Sequence, residues 1–408
     1  MQKLTISMFI TFVLLLTGCK NVNSNIKPIA IPKPNTNATK PQVETIDILK
    51  TKINAMSIDE KIGQLVIVGL DGFAPDVNIT NLIKVHKIGG VILFGNNIKD
   101  SNQLVKLTNS FKTINSQNKI PLFISVDEEG GRVSRMPGEI KKLPSNQVIG
   151  KTNDGDLSYN IGKVIGEELK LFGFNMNFAP VLDINSNPNN SVIGDRSFGN
   201  NPAIVTKLGI KTMKGISYSN IIPVIKHFPG HGDTAVDSHV GLPVVNKDLK
   251  SLSSFELEPF KEAMKNNADT IMVAHIVLNK IDPVYPSSMS KSVITDILRK
   301  SLNFSGVVIT DDMTMGAIMK NYKIGDAAVK SINAGSDIVL VCHGFNNELE
   351  VINSLKAALN NNVISESRID KSVYRILKLK EKYGINNVTV SPVNIFNLND
   401  KIENLFSK

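Results

Sequence analysis

Eight short apolar runs recur along this chain, each followed by a stretch of helical periodicity, and that beat limits its possible folds more than any other feature. The runs are Gly63–Leu70, Gly90–Gly95, Pro121–Val126, Met176–Leu182, Ile221–Ile225, Thr270–Ala274, Val307–Thr310 and Ile338–Val341. They are continuous rather than alternating, as expected of strands buried on both faces. Helical candidates separate them: Gln103–Asn118, Leu157–Phe172, Ala203–Ser217, Phe255–Asn266, Ser290–Leu302 and Gly325–Ala334, with Glu348–Asn360 and Ser367–Tyr383 after the last run. Before the first run, Ser57-Ile58-Asp59-Glu60 carries a helix-start signal with acids in the first turn. Eight such strands alternating with helices is the count of an α/β (β/α)8 TIM barrel.

A doubly wound open sheet could use the same elements. What favours the barrel is where the reactive residues fall. The third run leads into Asp127-Glu128-Glu129-Gly130-Gly131-Arg132, the fourth into Asp183 and the fifth into Lys226-His227. The sixth leads into His275, the seventh into Asp311-Asp312, and the eighth is followed shortly by His343. Barrel enzymes collect functional groups at that one end, from many strands at once.

Composition narrows the class of protein. Of 408 residues, 42% are hydrophobic and 20% charged, which suits a globular core and argues against disorder or a multi-span membrane protein. The net charge is +9, but the basic residues are interspersed with acids, and there is no Trp. That pattern implies weak attraction to anionic surfaces, not a nucleic-acid groove. At the N-terminus, Lys3 precedes an apolar stretch from Met8 to Leu16, closed by Leu16-Thr17-Gly18-Cys19. The stretch is short for a bilayer span, so residues 1–18 read as a secretory signal. Residues 19–45, rich in Asn, Pro, Lys and Thr, read as a flexible tether. The folded domain is expected over 46–385, with 386–408 as a C-terminal tail too short for a second domain. Two cysteines are present. If Cys19 carries a lipid, Cys342 stands alone and the monomer has no disulfide.

The densest chemistry lies after the fifth run, where His227, His231 and His239 fall within fourteen residues together with Lys226, Asp233 and Asp237. Pro229, Gly230 and Gly232 make this a loop. His227, His231, Asp233 and His239 are metal-ligand types. Asp237, two residues before His239, could instead hold an imidazole as a general acid/base, or Asp237-Ser238-His239 could be a simple capped turn. Asp311 at the end of the seventh run could serve as a nucleophile, or one aspartate of the pair could cap the helix starting near Met315. Asp127, Arg132 and Arg135 could grip a polyhydroxylated ligand or form a surface ion cluster.

Three motifs together resemble glycoside hydrolase family 3: Lys226-His227-Phe228-Pro229-Gly230-His231-Gly232-Asp233-Thr234 through Asp237-Ser238-His239, Val126-Asp127-Glu128-Glu129-Gly130-Gly131-Arg132-Val133, and Val192-Ile193-Gly194-Asp195-Arg196-Ser197-Phe198. Within that family the likeness is to the bacterial β-N-acetylglucosaminidases (β-N-acetylhexosaminidases), and it spans about 46–385. The resemblance implies a retaining exo-enzyme that removes terminal N-acetylglucosamine from peptidoglycan fragments, with no metal or organic cofactor. Matched by motif, Asp311 is the nucleophile, His239 the acid/base and Asp237 its partner. Asp127, Arg132, Arg135, Arg196, Lys226 and His227 are the sugar-binding positions. Leu16-Thr17-Gly18-Cys19 resembles the bacterial lipoprotein box, which implies lipidation at Cys19 and an extracytoplasmic protein held on the cell membrane. The rival expectations are a β-glucosidase or β-xylosidase of the same family, a lipoprotein that binds sugar without cleaving it, and a metal-dependent hydrolase.

Overall fold

The computed structural model describes residues 47–234, 237–238 and 241–406. The signal-like segment, Cys19, the tether up to residue 45 and His239 lie outside them. Each apolar run becomes one strand: β1 (Val66–Val68), β2 (Gly90–Leu93), β3 (Phe123–Val126), β4 (Met176–Asn177), β5 (Ile222–Phe228), β6 (Thr270–Val273), β7 (Val307–Asp312) and β8 (Ile338–Val341). The strands are parallel and close into a barrel in chain order. β1 completes the ring, with Val66 opposite Val339 of β8 and Ile67 opposite Gly90 of β2. The (β/α)8 barrel expected from the beat is the fold observed.

The strands read as unbroken apolar runs because helices cover their outer faces while neighbouring strands fill the inside. Every residue of β3, β5 and β8 is buried. The helices follow the sequence signals closely. Ser57 and Glu60 form a reciprocal capping box on Ile58–Gln64, satisfying two orphan N–H groups. Asp100 caps Ser101–Ile114, Asp154 caps Gly155–Leu171, and Asn201 with Pro202 opens Pro202–Tyr218. The last two pack unusually close: a Cβ on Gly162 would lie 2.3 Å from the Thr212 carbonyl oxygen. The candidate Phe255–Asn266 shortens to Glu258–Lys265, and Ser290–Leu302 forms its helix over Ser292–Ser301. Outside the barrel, Val244–Val245 and Val277–Leu278 pair as a small parallel sheet.

The segment after residue 385, expected as a tail, folds back onto the barrel. It forms a helix, Ile395–Asn404, that buries Leu398 and Ile402, and Lys401 pairs with Glu167 at 2.7 Å.

Charge sits at both ends of the barrel but does different work. At the N-terminal end, fully buried Asp337 is surrounded by Arg299, Arg368 and Arg375. Nearby, the buried Lys380 ammonium donates to Gln64 Oε1, the Gly89 carbonyl and the Pro121 carbonyl. These groups tie strand starts to the last barrel helix. The C-terminal end is open.

Candidate active site

A cavity of about 430 Å3 opens at the C-terminal ends of the strands. Its floor comes from inward-facing side chains of the barrel, Ile92, Met272 and Leu340. Above them it divides by character. On the β3–β5 side it is lined by Asp127, Glu129, Arg196, Lys226 and His227. On the other side, Phe94 after β2 and His343 after β8 meet with ring centroids 5.1 Å apart. Asp311 and Asp312 at the end of β7 lie between these walls in chain order, and Asp237 and Ser238 line the rim.

The polar wall is one chain of alternating charges. Lys226 Nζ lies 2.5 Å from Asp127 Oδ1 and 2.6 Å from Glu129 Oε1. Glu129 also takes Arg196 in a two-pronged pairing, Nε to Oε2 and Nη2 to Oε1, each at 2.8 Å. The fork geometry of a guanidinium matches a carboxylate in this way and fixes both planes. Burial opposes the ionisation of Glu129, but Arg196 and Lys226 outweigh it and hold the carboxyl well below its ordinary range. Burial likewise lowers the Lys226 ammonium, and Asp127 and Glu129 more than restore it. Both cations therefore stay charged at the cavity wall.

Glu129→Gln makes the cost of this arrangement measurable. It leaves two buried cations short of a counter-charge, so thermal stability at neutral pH falls by about 3 kcal/mol. Because the folded-state pKa of Glu129 is depressed, its contribution is present above the ordinary glutamate range and is lost as pH falls through the folded value. The gap between wild type and variant in thermal unfolding is therefore constant around neutrality and narrows only in acid. A gap that instead widens on acidification contradicts this assignment.

Strand ends explain which acids face inward. Just past the end of β3, Asp127 and Glu129 line the cavity while Glu128 turns away from it. Glu128 is buried behind the wall, where desolvation pushes its carboxyl up to about 7. Its Oε2 accepts from the Arg135 backbone N–H at 2.7 Å, which positions Arg135 at the cavity. Arg132 also reaches the cavity, but its guanidinium is engaged with protein. Nη2 donates to the carbonyls of Ser191, Val192 and Ile193, and Nε pairs with Asp195 at 2.8 Å. Arg132 thus braces the loop that carries Arg196. Asp127 takes Lys226 as its partner, so the ion cluster is built into the wall, not spread on the surface.

The two aspartates ending β7 have separate environments. Asp312 Oδ1 accepts from the backbone N–H groups of Thr314 and Cys342, each at 2.9 Å, and its Oδ2 accepts from Thr314 Oγ1 at 2.6 Å. It ties the end of β7 to the end of β8. Asp311 is partly buried and accepts from the Asp312 N–H at 2.9 Å. Burial works against its charge, but His227, His275, the Asp312 N–H and Lys226 together hold the carboxyl below the ordinary range. Asp311 is accordingly an ionised carboxylate throughout the physiological range. Neither aspartate caps the helix Gly316–Met319, whose N-cap residue, Met315, makes no side-chain cap.

The histidine loop leaves β5 with cis peptides at Lys226-His227 and Phe228-Pro229. His227 Nδ1 lies 2.6 Å from Asp183 Oδ2. His231 is buried, with Thr234 Oγ1 at 2.7 Å from Nδ1 and Ser238 Oγ at 3.2 Å from Nε2. Ser238 also accepts through its carbonyl from the Ala317 N–H at 3.0 Å, so the stretch bearing Asp237 is pinned from two directions. The ring nitrogens of His227 and His231 face these separate partners instead of a shared point. Among the described residues no group of three or more His, Cys, Asp or Glu is arranged to hold a metal ion.

The structure thus brings Asp127, Arg135, Arg196, Lys226, His227, Asp237 and Asp311 to one cavity, with Arg132 at its edge. Two residues given no role by sequence reasoning, Glu129 and Asp183, turn out to organise the polar wall. Their presence at strand ends was the available signal; their partners were not.

The profile described as Glycosyl hydrolase family 3 N terminal domain matches residues 57–379. The chain is 38% identical over 328 residues to Beta-hexosaminidase A of Pseudoalteromonas piscicida, covering 74% of this chain and 55% of that protein. It is 34% identical over 303 residues to a Beta-hexosaminidase of Nitrosomonas eutropha, covering 72% of this chain and 86% of that one. The chain thus spans little more than half the length of the first relative and most of the second. Among solved structures it is similar to a family 3 beta-N-acetylglucosaminidase from a Paenibacillus species, with a TM-score of 0.83 and 38% identity over 86% of this chain and 68% of that one.

Proposed function

The chain belongs to glycoside hydrolase family 3, and on that premise we propose that it is a retaining exo-β-N-acetylglucosaminidase. The observation that carries the reading is the shared cavity, in which an ionised Asp311 joins a wall of Asp127, Arg196, Lys226 and His227. A neutral sugar offers hydroxyls that both donate and accept. Fixed carboxylates take the donors, and the ammonium and guanidinium supply donors in return. Asp311 attacks the anomeric carbon while His239, held by Asp237, gives a proton to the leaving oxygen. The glycosyl–Asp311 ester forms as the glycosidic bond breaks. His239, now neutral, takes a proton from water, which attacks the same carbon and releases the sugar with its configuration retained. An Asp–His pair does the work of the second carboxylate usual in retaining enzymes.

Support for the N-acetylglucosamine preference comes from relatives named beta-hexosaminidase and beta-N-acetylglucosaminidase. A panel of aryl glycosides tests it. The N-acetylglucosaminide is expected to be cleaved with kcat/KM at least a hundredfold above the glucoside or xyloside, about 3 kcal/mol of discrimination. Preference for the glucoside or xyloside assigns the chain to the other branch of the family, and a bound but uncut sugar makes it a binding protein.

We further propose that Cys19 carries a lipid and holds the enzyme on the outer face of a bacterial cell membrane, where peptidoglycan fragments are its substrates. Leu16-Thr17-Gly18-Cys19 is the support. Cys19→Ala is expected to move the protein from the membrane to the soluble fraction of a bacterial host. Equal membrane retention of both forms would refute the anchor.

A further inference from the structure

Asp183, at the end of the fourth barrel run, has no exposure to solvent, and the loop leaving β5 wraps around its carboxylate. Oδ2 faces His227 Nδ1 at 2.6 Å. Oδ1 accepts from the His231 backbone N–H at 2.6 Å and from the His227 backbone N–H at 3.3 Å. The Asp183 carbonyl in turn accepts from Ser197 Oγ at 2.6 Å, so both the main chain and the side chain are held. The wrap is tight enough to require glycine at 232, where a Cβ would lie 1.7 Å from the carbonyl oxygen of Ile184.

An ionised carboxylate only accepts hydrogen bonds, so His227 must carry a hydrogen on Nδ1. On the far side of the ring, Nε2 lies 3.4 Å from Arg196 Nη2. A guanidinium only donates, so Nε2 must present a lone pair. The two neighbours, on different segments, select the same tautomer whenever the ring carries a single hydrogen. With Nδ1 turned to a wholly buried group, Nε2 is the ring nitrogen that faces the cavity His227 lines, and its one lone pair, held only by the long 3.4 Å contact to Arg196, passes to a ligand hydroxyl that enters.

We infer that Asp183 is a positioning residue, fixing His227 as a hydrogen-bond acceptor for a hydroxyl of the bound sugar. The inference rests on the sugar-binding reading of this cavity. It completes the polar wall: Lys226 and Arg196 are donors only, so His227 gives a hydroxyl bound between them an acceptor for its own proton. In Asp183→Asn the amide can present its NH2 to Nδ1. The ring then moves its hydrogen to Nε2, where it opposes the Arg196 donor and loses the capacity to accept.

Histidine-selective nitrogen NMR of the free protein at mildly alkaline pH reads the tautomer with no substrate present. In the wild type, His227 Nδ1 is expected to appear as the protonated nitrogen and Nε2 as the bare one, and Asp183→Asn shifts the ring toward the opposite form. A wild-type ring protonated at Nε2 overturns the inference, whatever the enzyme does. In kinetics, Asp183→Asn is expected to lower kcat/KM about five- to a hundredfold, the loss when a hydrogen bond to substrate becomes a clash of donors. Adding Asp183→Asn to His227→Ala costs little more than His227→Ala alone, because the two act as one unit. Losses that simply add overturn the inference, since Asp183 would then act independently of the ring. If the wild type cleaves no glycoside at all, the proposed function fails while the NMR result still decides this point.

Discussion

Asp311→Ala is expected to abolish turnover, lowering kcat on an aryl N-acetylglucosaminide by about ten-thousandfold to a millionfold, the range seen when a covalent nucleophile is removed. Fold and sugar binding are expected to survive. The reason lies in the division of labour at the end of β7. Asp312 makes the contacts that hold β7 to β8, through the Thr314 and Cys342 N–H groups. Asp311 accepts from the neighbouring Asp312 N–H, and its carboxylate is otherwise stabilised by charges across the cavity. Its removal therefore takes away the attacking group without unlocking the barrel. Circular dichroism and binding of the product sugar check the first half, and the rate checks the second. A variant that keeps more than about a hundredth of wild-type kcat contradicts the assignment, because binding and positioning alone do not supply that much.

The second large effect concerns proton transfer. His239→Ala is expected to lower kcat/KM about a hundred- to ten-thousandfold on a substrate with a poor leaving group such as another sugar, the span that general acid catalysis covers. An activated aryl leaving group needs no proton, so bond cleavage there is expected to suffer much less. The second half-reaction still lacks its base, so the glycosyl-enzyme should accumulate as a burst followed by slow release. An added anionic nucleophile such as azide, which needs no deprotonation, should restore the slow step. Equal losses on both substrate types with no burst and no rescue would show that His239 does not transfer the proton. Asp237 lines the same cavity, and Asp237→Asn is expected to follow the same pattern with a smaller loss.

How much of this was legible in the sequence depends on distance along the chain. Each strand was readable because burial on both faces writes an uninterrupted apolar run, and the helix-start signal at Ser57 is local, resolved in the structure as a capping box with Glu60. Strand lengths were less legible. The run Met176–Leu182 shrinks to a two-residue strand, since Pro180 has no N–H to give a ladder. The C-terminal helix Ile395–Asn404 escaped notice because it buries only Leu398 and Ile402, too few apolar positions to establish a period.

At the site, residue identity was legible and partnership was not. The motif at the β3 end contains Glu129, yet its importance depends on Arg196, 67 residues away. Asp183 looks like one more acid at a strand end until His227 arrives from 44 residues further on. Arg132 makes the same point: it lines the cavity, while its donors go to the loop around Ser191–Ile193, far along the chain. Local pattern reveals where chemistry collects; only the closed barrel decides which groups face one another.

Retaining hydrolysis in this cavity requires a covalent bond between the sugar and Asp311. The most direct measurement uses a fluorinated N-acetylglucosaminyl fluoride, which forms the glycosyl-enzyme quickly and releases it slowly, followed by proteolysis and mass spectrometry. The predicted result is inactivation with one glycosyl group per chain, carried on the peptide containing Asp311 and absent in Asp311→Ala. Active enzyme that turns over its substrates yet carries no label, or carries it on another residue, would contradict the account.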